Sequence, residues 1–152
     1  MQPCRIYRAY GWQAIINIGD SEDISKDLDI PEHVYLSNHV PQLQILKKAD
    51  VVVSHGGYGT IKECIAYAVP MAVFPCIYDQ PGNAARVQYH QLGIKGDIHR
   101  IQPSELTQMI DSLLNNSIYK ERITSLREQI RVLNELNHGI ERIENALTGS
   151  IS

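Results

Sequence analysis

Short apolar runs rich in β-branched residues recur along the chain at Ala14 to Ile18, Val34 to Leu36, Val51 to Val53 and Met71 to Phe74. Runs of that length and composition predict strands. Most are followed by a stretch with helical spacing: Pro41 to Lys48, Thr60 to Ala68, Pro81 to Leu92 and Ser104 to Leu114, each opened by a proline or a hydroxyl residue that suits a helix start. Strand, helix, strand is the order of a parallel sheet, so the pattern predicts a doubly wound α/β domain. Val51-Val52-Val53 is continuously apolar, as expected of a strand covered by helices on both faces, and reads as a central strand.

From Ser117 the period changes. Ile123, Leu126, Ile130, Leu133, Leu136, Ile140, Ile143 and Leu147 are spaced by threes and fours, which predicts a long amphipathic C-terminal helix with a break at Asn137-His138-Gly139. A dimerising coiled coil is the sharper use of such a stripe; packing on the helix's own domain is the commoner one and is expected here. At the other end, Cys4 to Tyr10 looks like the end of a helix leading into the strand after Trp12, whereas a doubly wound domain starts with a strand and a loop. The expectation is one domain over residues 1–152, cut short on its N-terminal side.

Composition narrows the classes. A chain of 152 residues with 43% hydrophobic and 20% charged residues fits one soluble domain with a real core. Its net charge of -3 gives no general attraction to nucleic acid or anionic membrane, so a phosphate ligand needs a local device. Cys4, Cys64 and Cys76 are odd in number and lack metal-ligand spacing, which suits reduced thiols in the cytoplasm. No apolar run approaches the roughly 20 residues that span a bilayer, so no transmembrane segment is expected.

One segment carries chemistry. Ser54-His55-Gly56-Gly57-Tyr58-Gly59-Thr60-Ile61-Lys62-Glu63 is a glycine-rich turn that follows a strand and opens a helix. Gly56, Gly57 and Gly59 let backbone approach a ligand closely, and the N–H groups and dipole of the new helix attract an anion, for which phosphate is the natural guest. His55 and the Thr60 hydroxyl add hydrogen bonds. Two plainer readings stand beside this one. The glycines also serve a tight turn, and Thr60-Ile61-Lys62-Glu63 matches a capping box in which Glu63 bonds its own backbone. The pattern alone does not separate them.

The surrounding residues do. Val40-Pro41-Gln42, His55-Gly56-Gly57-Tyr58-Gly59-Thr60, Glu63 eight positions after His55, Val69-Pro70, Pro75, Asp79-Gln80 and Asn83-Ala84-Ala85-Arg86 follow one another in order. From Val40 to Gly93 the chain resembles the sugar-donor signature of the UDP-glycosyltransferase superfamily, whose members have the two-domain GT-B fold. The short interval from Gln42 to His55 is closest to the bacterial members, their antibiotic and carotenoid enzymes among them.

The resemblance implies that this is the donor-binding C-terminal half of an inverting, metal-independent glycosyltransferase that moves a hexose from a UDP- or TDP-sugar to an acceptor hydroxyl. It implies that His55, Gly56, Gly57, Gly59 and Thr60 hold the diphosphate. It assigns His39, Val40, Gln42 and Glu63 to the nucleoside, with Glu63 accepting from the ribose hydroxyls, and Asp79 and Gln80 to the transferred sugar. No cofactor and no metal are implied. The catalytic histidine belongs to the missing N-terminal domain, which also holds the small-molecule or lipid acceptor, so no catalytic residue is expected here.

The chain departs from the signature at His39, where the family stacks an aromatic ring on the base, and at Ala68, where a glycine is usual. Asp27-Leu28-Asp29 resembles the metal site of the other large glycosyltransferase fold but reads as a solvated acidic loop away from the phosphate turn. Two other functions remain: a stand-alone donor-binding subunit of a split glycosyltransferase, and a nucleotide-sugar 2-epimerase, which the ordered run from Val40 to Asn83 fits less well.

Overall fold

The computed structural model of the chain describes residues 11–20, 30–135 and 147. The chain divides into two compact units, Met1–Lys48 and Ala49–Ser152, and each contains its own parallel sheet. The helical end expected before Trp12, the acidic loop Asp27 to Asp29 and the break at Asn137 to Gly139 lie outside the described residues.

In the first unit β1 (Ala14–Asn17) pairs in parallel with β2 (Val34–Ser37), with Ala14 opposite Val34 and Asn17 opposite Ser37. A short helix, α1 (Gln42–Leu46), follows. Pro41 precedes it, and the Pro41 carbonyl accepts from Gln44 N at 2.8 Å, so the fixed proline φ starts the turn. Leu46 is its buried residue.

The second unit runs β3 (Val52–Ser54), α2 (Tyr58–Tyr67), β4 (Met71–Val73), α3 (Gln80–Tyr89), β5 (Gly93–Lys95), α4 (Pro103–Asn115) and α5 (Ser117–Glu135). Its strands lie in the order β3-β4-β5, all parallel. Among the described residues β4 is the middle strand of this sheet, with β3, read as central from the sequence, beside it. All three β4 residues are fully buried, whereas Val53 on β3 is 49% exposed. The sequence predicts cover on both faces for the Val51 to Val53 run, and the exposure of Val53 departs from that, whereas β4 fits it.

Strand alternation sends Ala72 and Phe74 to one face of the sheet and Met71 and Val73 to the other. On the first face Ala72, Phe74 and Leu113 of α4 form a core, with Ile94, Ile101, Leu106, Met109 and Tyr119 packed against it. The strand β5, Gly93-Ile94-Lys95, escaped the sequence pattern because it holds a single β-branched residue and no apolar run. Gly93 is needed there, since a Cβ at that position would collide with the Met71 carbonyl.

The C-terminal helix α5 packs on α2 and α4. Its stripe is buried at Ile123 and opens to solvent at Ile130 and Leu133, 40% and 60% exposed. Burying Ile123 fully is worth roughly 1.5–3 kcal/mol, so the expectation of a helix packed on its own domain holds for this first part. Lys120 Nζ adds a hydrogen bond to the Ala68 carbonyl at 2.8 Å. Among the described residues no helix is long and apolar enough to cross a membrane.

Candidate functional site

Because β3, β4 and β5 are parallel, the loops that follow them share the carboxyl edge of the sheet. That is the edge where open α/β sheets bind ligands. The loop after β3 holds His55, Gly56 and Gly57 of the signature.

Ser54 Oγ accepts from Gly56 N at 3.2 Å. Gly56 is buried, has φ +80, and a Cβ there would collide with Val73 Cγ1, so both its backbone and its surroundings demand glycine. Gly57 is the N-cap of α2, with extended backbone and no side-chain cap, and its carbonyl accepts from Ile61 N at 3.1 Å. The first-turn N–H groups of a helix have no acceptor within it, and no acidic side chain stands in this first turn. The positive end of the helix dipole is thus open to an anion. A Cβ built on Gly59 meets no atom within 4 Å, so packing within the described residues does not require that glycine. His55 is exposed, and its Nε2 would stand 2.8 Å from a Cβ on Gly57, which places the imidazole against the N-cap.

The helix begins two residues earlier than the sequence suggested. Thr60 is its third residue rather than its N-cap, so the capping-box reading of Thr60 and Glu63 fails: a box needs non-helical backbone at its hydroxyl residue. A true box occurs elsewhere, where Gln102 N donates to Glu105 Oε2 at 2.8 Å ahead of α4. Glu63 is partly exposed on α2. Its neighbour Cys64 is fully buried, and burial, helped by the Glu63 charge, pushes the thiol up to about 12. Lys62 Nζ lies 4.9 Å from the centre of the exposed Tyr58 ring.

The loop after β4 is bound up with its own hydrogen bonds. Cys76 N and Ile77 N both donate to Gln80 Oε1, at 2.9 and 3.0 Å. Asp79 is the N-cap of α3 and Pro81 stands in its first turn, as a helix start prefers. Asn83 Nδ2 donates to Asp79 Oδ2 at 2.8 Å and to the Gly56 carbonyl at 3.1 Å, which joins this loop to the glycine turn. These bonds use one oxygen each of Gln80 and Asp79 and leave Gln80 Nε2 and Asp79 Oδ1 for a ligand. The tie through Asn83 was missed in the sequence; its signal was the i, i+4 spacing from Asp79 on one helix face.

The structure therefore gathers His55, Gly56, Gly57, Gly59, Thr60, Glu63, Asp79 and Gln80 within the second unit. His39, Val40 and Gln42 lie in the first unit, between β2 and the start of α1, where Ser37 Oγ donates to the His39 carbonyl at 2.7 Å. Among the described residues no group of three or more His, Cys, Asp or Glu side chains could hold a metal ion.

Residues 13–133 match the family model of the erythromycin biosynthesis protein CIII-like C-terminal domain. The chain belongs to this EryCIII-like family. Among relatives, the domain is 30% identical over 139 residues to the NDP-glycosyltransferase YjiC of Bacillus licheniformis, covering 91% of this chain and 30% of that protein. It is 27% identical over 141 residues to the uncharacterized UDP-glucosyltransferase YdhE of Bacillus subtilis, covering 93% of this chain and 36% of the relative. Among solved structures, the glycotransferase of kitacinnamycin superposes with a TM-score of 0.77 at 35% identity, over 83% of this chain and 33% of that one. Spinosyn rhamnosyltransferase SpnG complexed with thymidine diphosphate shares the fold, with a TM-score of 0.73 at 22% identity over 83% of this chain and 34% of that one. The EryCIII-like domain thus spans about a third of the length of these proteins, and it is a C-terminal domain of the GT-B glycosyltransferase type.

Proposed function

We propose that this domain holds the nucleoside diphosphate sugar for an inverting, metal-independent glycosyl transfer, while an N-terminal half holds the acceptor and supplies the base. The observation that carries the reading is the Gly56-Gly57 turn at the N-terminus of α2, with His55 against it and Asn83 fixing it to the Asp79 loop.

His55, the backbone of Gly56, Gly57 and Gly59, and Thr60 take the diphosphate; the open space over Gly59 lets it approach. Glu63 accepts from the ribose hydroxyls. His39, Val40 and Gln42 face the base. Asp79 Oδ1 and Gln80 Nε2 meet sugar hydroxyls, the first as acceptor and the second as donor. The relatives support the donor class: one is named a UDP-glucosyltransferase, and SpnG was solved in complex with thymidine diphosphate.

The reaction is a single displacement. The oxygen of an acceptor hydroxyl, on a small molecule or a lipid, attacks the anomeric carbon as the bond to the diphosphate oxygen breaks. The hydroxyl proton passes to the base in the other half, and the bonding pair leaves with the diphosphate. Negative charge grows on that leaving group, where the α2 dipole and His55 stand, so these groups stabilise the transition state more than the bound donor. No cofactor takes part.

Calorimetric titration of the chain with UDP and dTDP, with and without EDTA, tests the reading. Binding of either one that survives chelation is the expected result. Binding that vanishes with EDTA would overturn the metal-free mechanism, and absence of binding by both nucleotides would overturn the donor assignment.

A further inference from the structure

Tyr78 is the residue in the β4–α3 loop that the fold has least reason to keep. Its backbone is left-handed, with φ 56, a conformation strained for a bulky aromatic residue and easy for glycine or asparagine. Its side chain is 89% exposed, so ring burial in the core does not offset the strain. Among the described residues two other non-glycine positions share this conformation, Ala68 and Gln91, and both close helices. There Val69 N donates to the Cys64 carbonyl and Leu92 N to the Val87 carbonyl, as a left-handed helix end requires. Tyr78 ends no helix.

The loop holds this strain in place from both sides. Gln80 Oε1 ties down the backbone before Tyr78 at Cys76 and Ile77, and Asn83 ties down Asp79 after it and joins the loop to Gly56. An exposed aromatic ring is thus displayed at the ligand edge of the sheet, one residue from Asp79. Backbone strain kept at such an edge points to a task outside the chain's own packing. The phosphate turn follows β3 and Asn83 joins it to the β4–α3 loop, so this loop adds a surface beside the place of the diphosphate.

We infer that Tyr78 meets the sugar of the donor and selects it, the ring lying against the apolar C–H face of a hexose while Asp79 and Gln80 take hydroxyls at its rim. This rests on the donor-binding reading above. An aromatic ring suits that role because its face is apolar and its rigid side chain loses little freedom on binding. A sugar lacking a flat C–H face toward the ring is rejected by shape, and one with its hydroxyls elsewhere leaves Asp79 unpaired.

Ligand-observed NMR titrations of the chain with UDP and with UDP-glucose test it, using wild type, Tyr78→Gly, Tyr78→Phe and, as control, Tyr89→Ala, another exposed tyrosine. The expected result is unchanged UDP affinity in all four, UDP-glucose binding weakened roughly 3- to 10-fold in Tyr78→Gly alone, and a melting temperature of Tyr78→Gly no lower than wild type because strain is relieved. A purely structural role gives a different pattern, with a lower melting temperature and equal loss for both ligands, and that pattern overturns the inference. So does an unchanged affinity for UDP-glucose in Tyr78→Gly. A wild type that binds neither ligand overturns the donor-binding reading itself, and the inference with it.

Discussion

The Asn83 side-chain amide donates to the Gly56 carbonyl at 3.1 Å, across 27 positions of sequence, and to Asp79 Oδ2 at 2.8 Å. One nitrogen thus joins the turn after β3 to the loop after β4. The geometry of both loops depends on a group that can only donate at this point.

Asn83→Asp keeps the shape and reverses the polarity. A carboxylate would face a carbonyl and the Asp79 carboxylate, which costs about 1–3 kcal/mol of stability at neutral pH. The like charge raises the folded-state pKa of the new carboxyl above its unfolded value of about 3.9. The penalty is therefore present at pH 7 and shrinks as pH falls through the raised value, where the folded state takes up the proton. Urea unfolding of variant and wild type at pH 7 and pH 5 reads the difference. A deficit that does not change with pH contradicts this account.

Glu63→Gln separates helix start from ligand. With Gly57 as N-cap, Glu63 lies beyond the first turn, so the change should alter stability by no more than about 0.5 kcal/mol, the usual range for surface substitutions. If the carboxylate holds the ribose, nucleotide affinity falls by roughly 1–3 kcal/mol. Calorimetry with UDP and a melting curve on the same samples decide it; equal affinity with lowered stability would return Glu63 to a structural role.

The two strained helix ends respond differently to glycine. A left-handed residue costs roughly 1–2 kcal/mol, and glycine returns about 0.5–1 of that through the freedom it gains in the unfolded chain. Gln91 is exposed, so Gln91→Gly should stabilise by roughly 0.5–1 kcal/mol. Ala68 is 2% exposed, and removing its methyl also loses about 0.8 kcal/mol of burial. Ala68→Gly should therefore be close to neutral. Thermal unfolding of both variants checks the order; a larger gain at Ala68 would show that its methyl is itself crowded.

How far the chain is legible follows from these details. The glycine turn, the parallel α/β order and the helix packed through Ile123 all leave local marks: glycine pattern, strand and helix runs, and a stripe at helical spacing. The strained end at Ala68 was visible as an alanine where a glycine is usual, and the structure gives it φ 53. What stayed hidden depends on partners far along the chain. Nothing local says that Asn83 reaches Gly56, that Met71 to Val73 rather than Val51 to Val53 is the middle strand, or that Tyr78 is held left-handed. The start of α2 was misplaced because Gly57 caps it with backbone geometry alone, while Thr60 offered a more conspicuous side chain.

Cys64 gives a pH signature. Burial, with help from Glu63, pushes its thiol from the ordinary 9.0 up to about 12. Below pH 9 both states keep the proton and the shift has no effect. Between 9 and 12 the unfolded chain loses a proton that the folded chain retains, so stability falls as pH rises, by at most about 1.4 kcal/mol per pH unit. Cys64→Ala lacks this slope, and the gap in stability between wild type and variant should narrow from pH 8 to pH 10.5. At pH 8 a thiol reagent should modify the exposed Cys76 quickly and Cys64 only after unfolding. Rapid modification of Cys64 in the native state would contradict its burial.

His55 bears the sharpest test of the proposed reaction. Its ring stands against Gly57 at the N-terminus of α2, beside backbone N–H groups that suit an anion. His55→Ala should weaken UDP binding and leave the uridine nucleoside, which has no phosphate, unaffected. Because charge develops on the leaving diphosphate, the loss should be larger in turnover than in binding, on the order of 100-fold for one preorganised donor in the enzyme that carries this domain. A general base behaves otherwise. If His55 deprotonated the acceptor, its removal would leave UDP affinity intact and erase an ionisation near neutral pH from the rate profile. UDP and uridine titrations together with the pH dependence of kcat therefore distinguish a phosphate ligand from a base. Unchanged UDP affinity with a lost ionisation would place the catalytic base in this domain and overturn the division of labour proposed for its two halves.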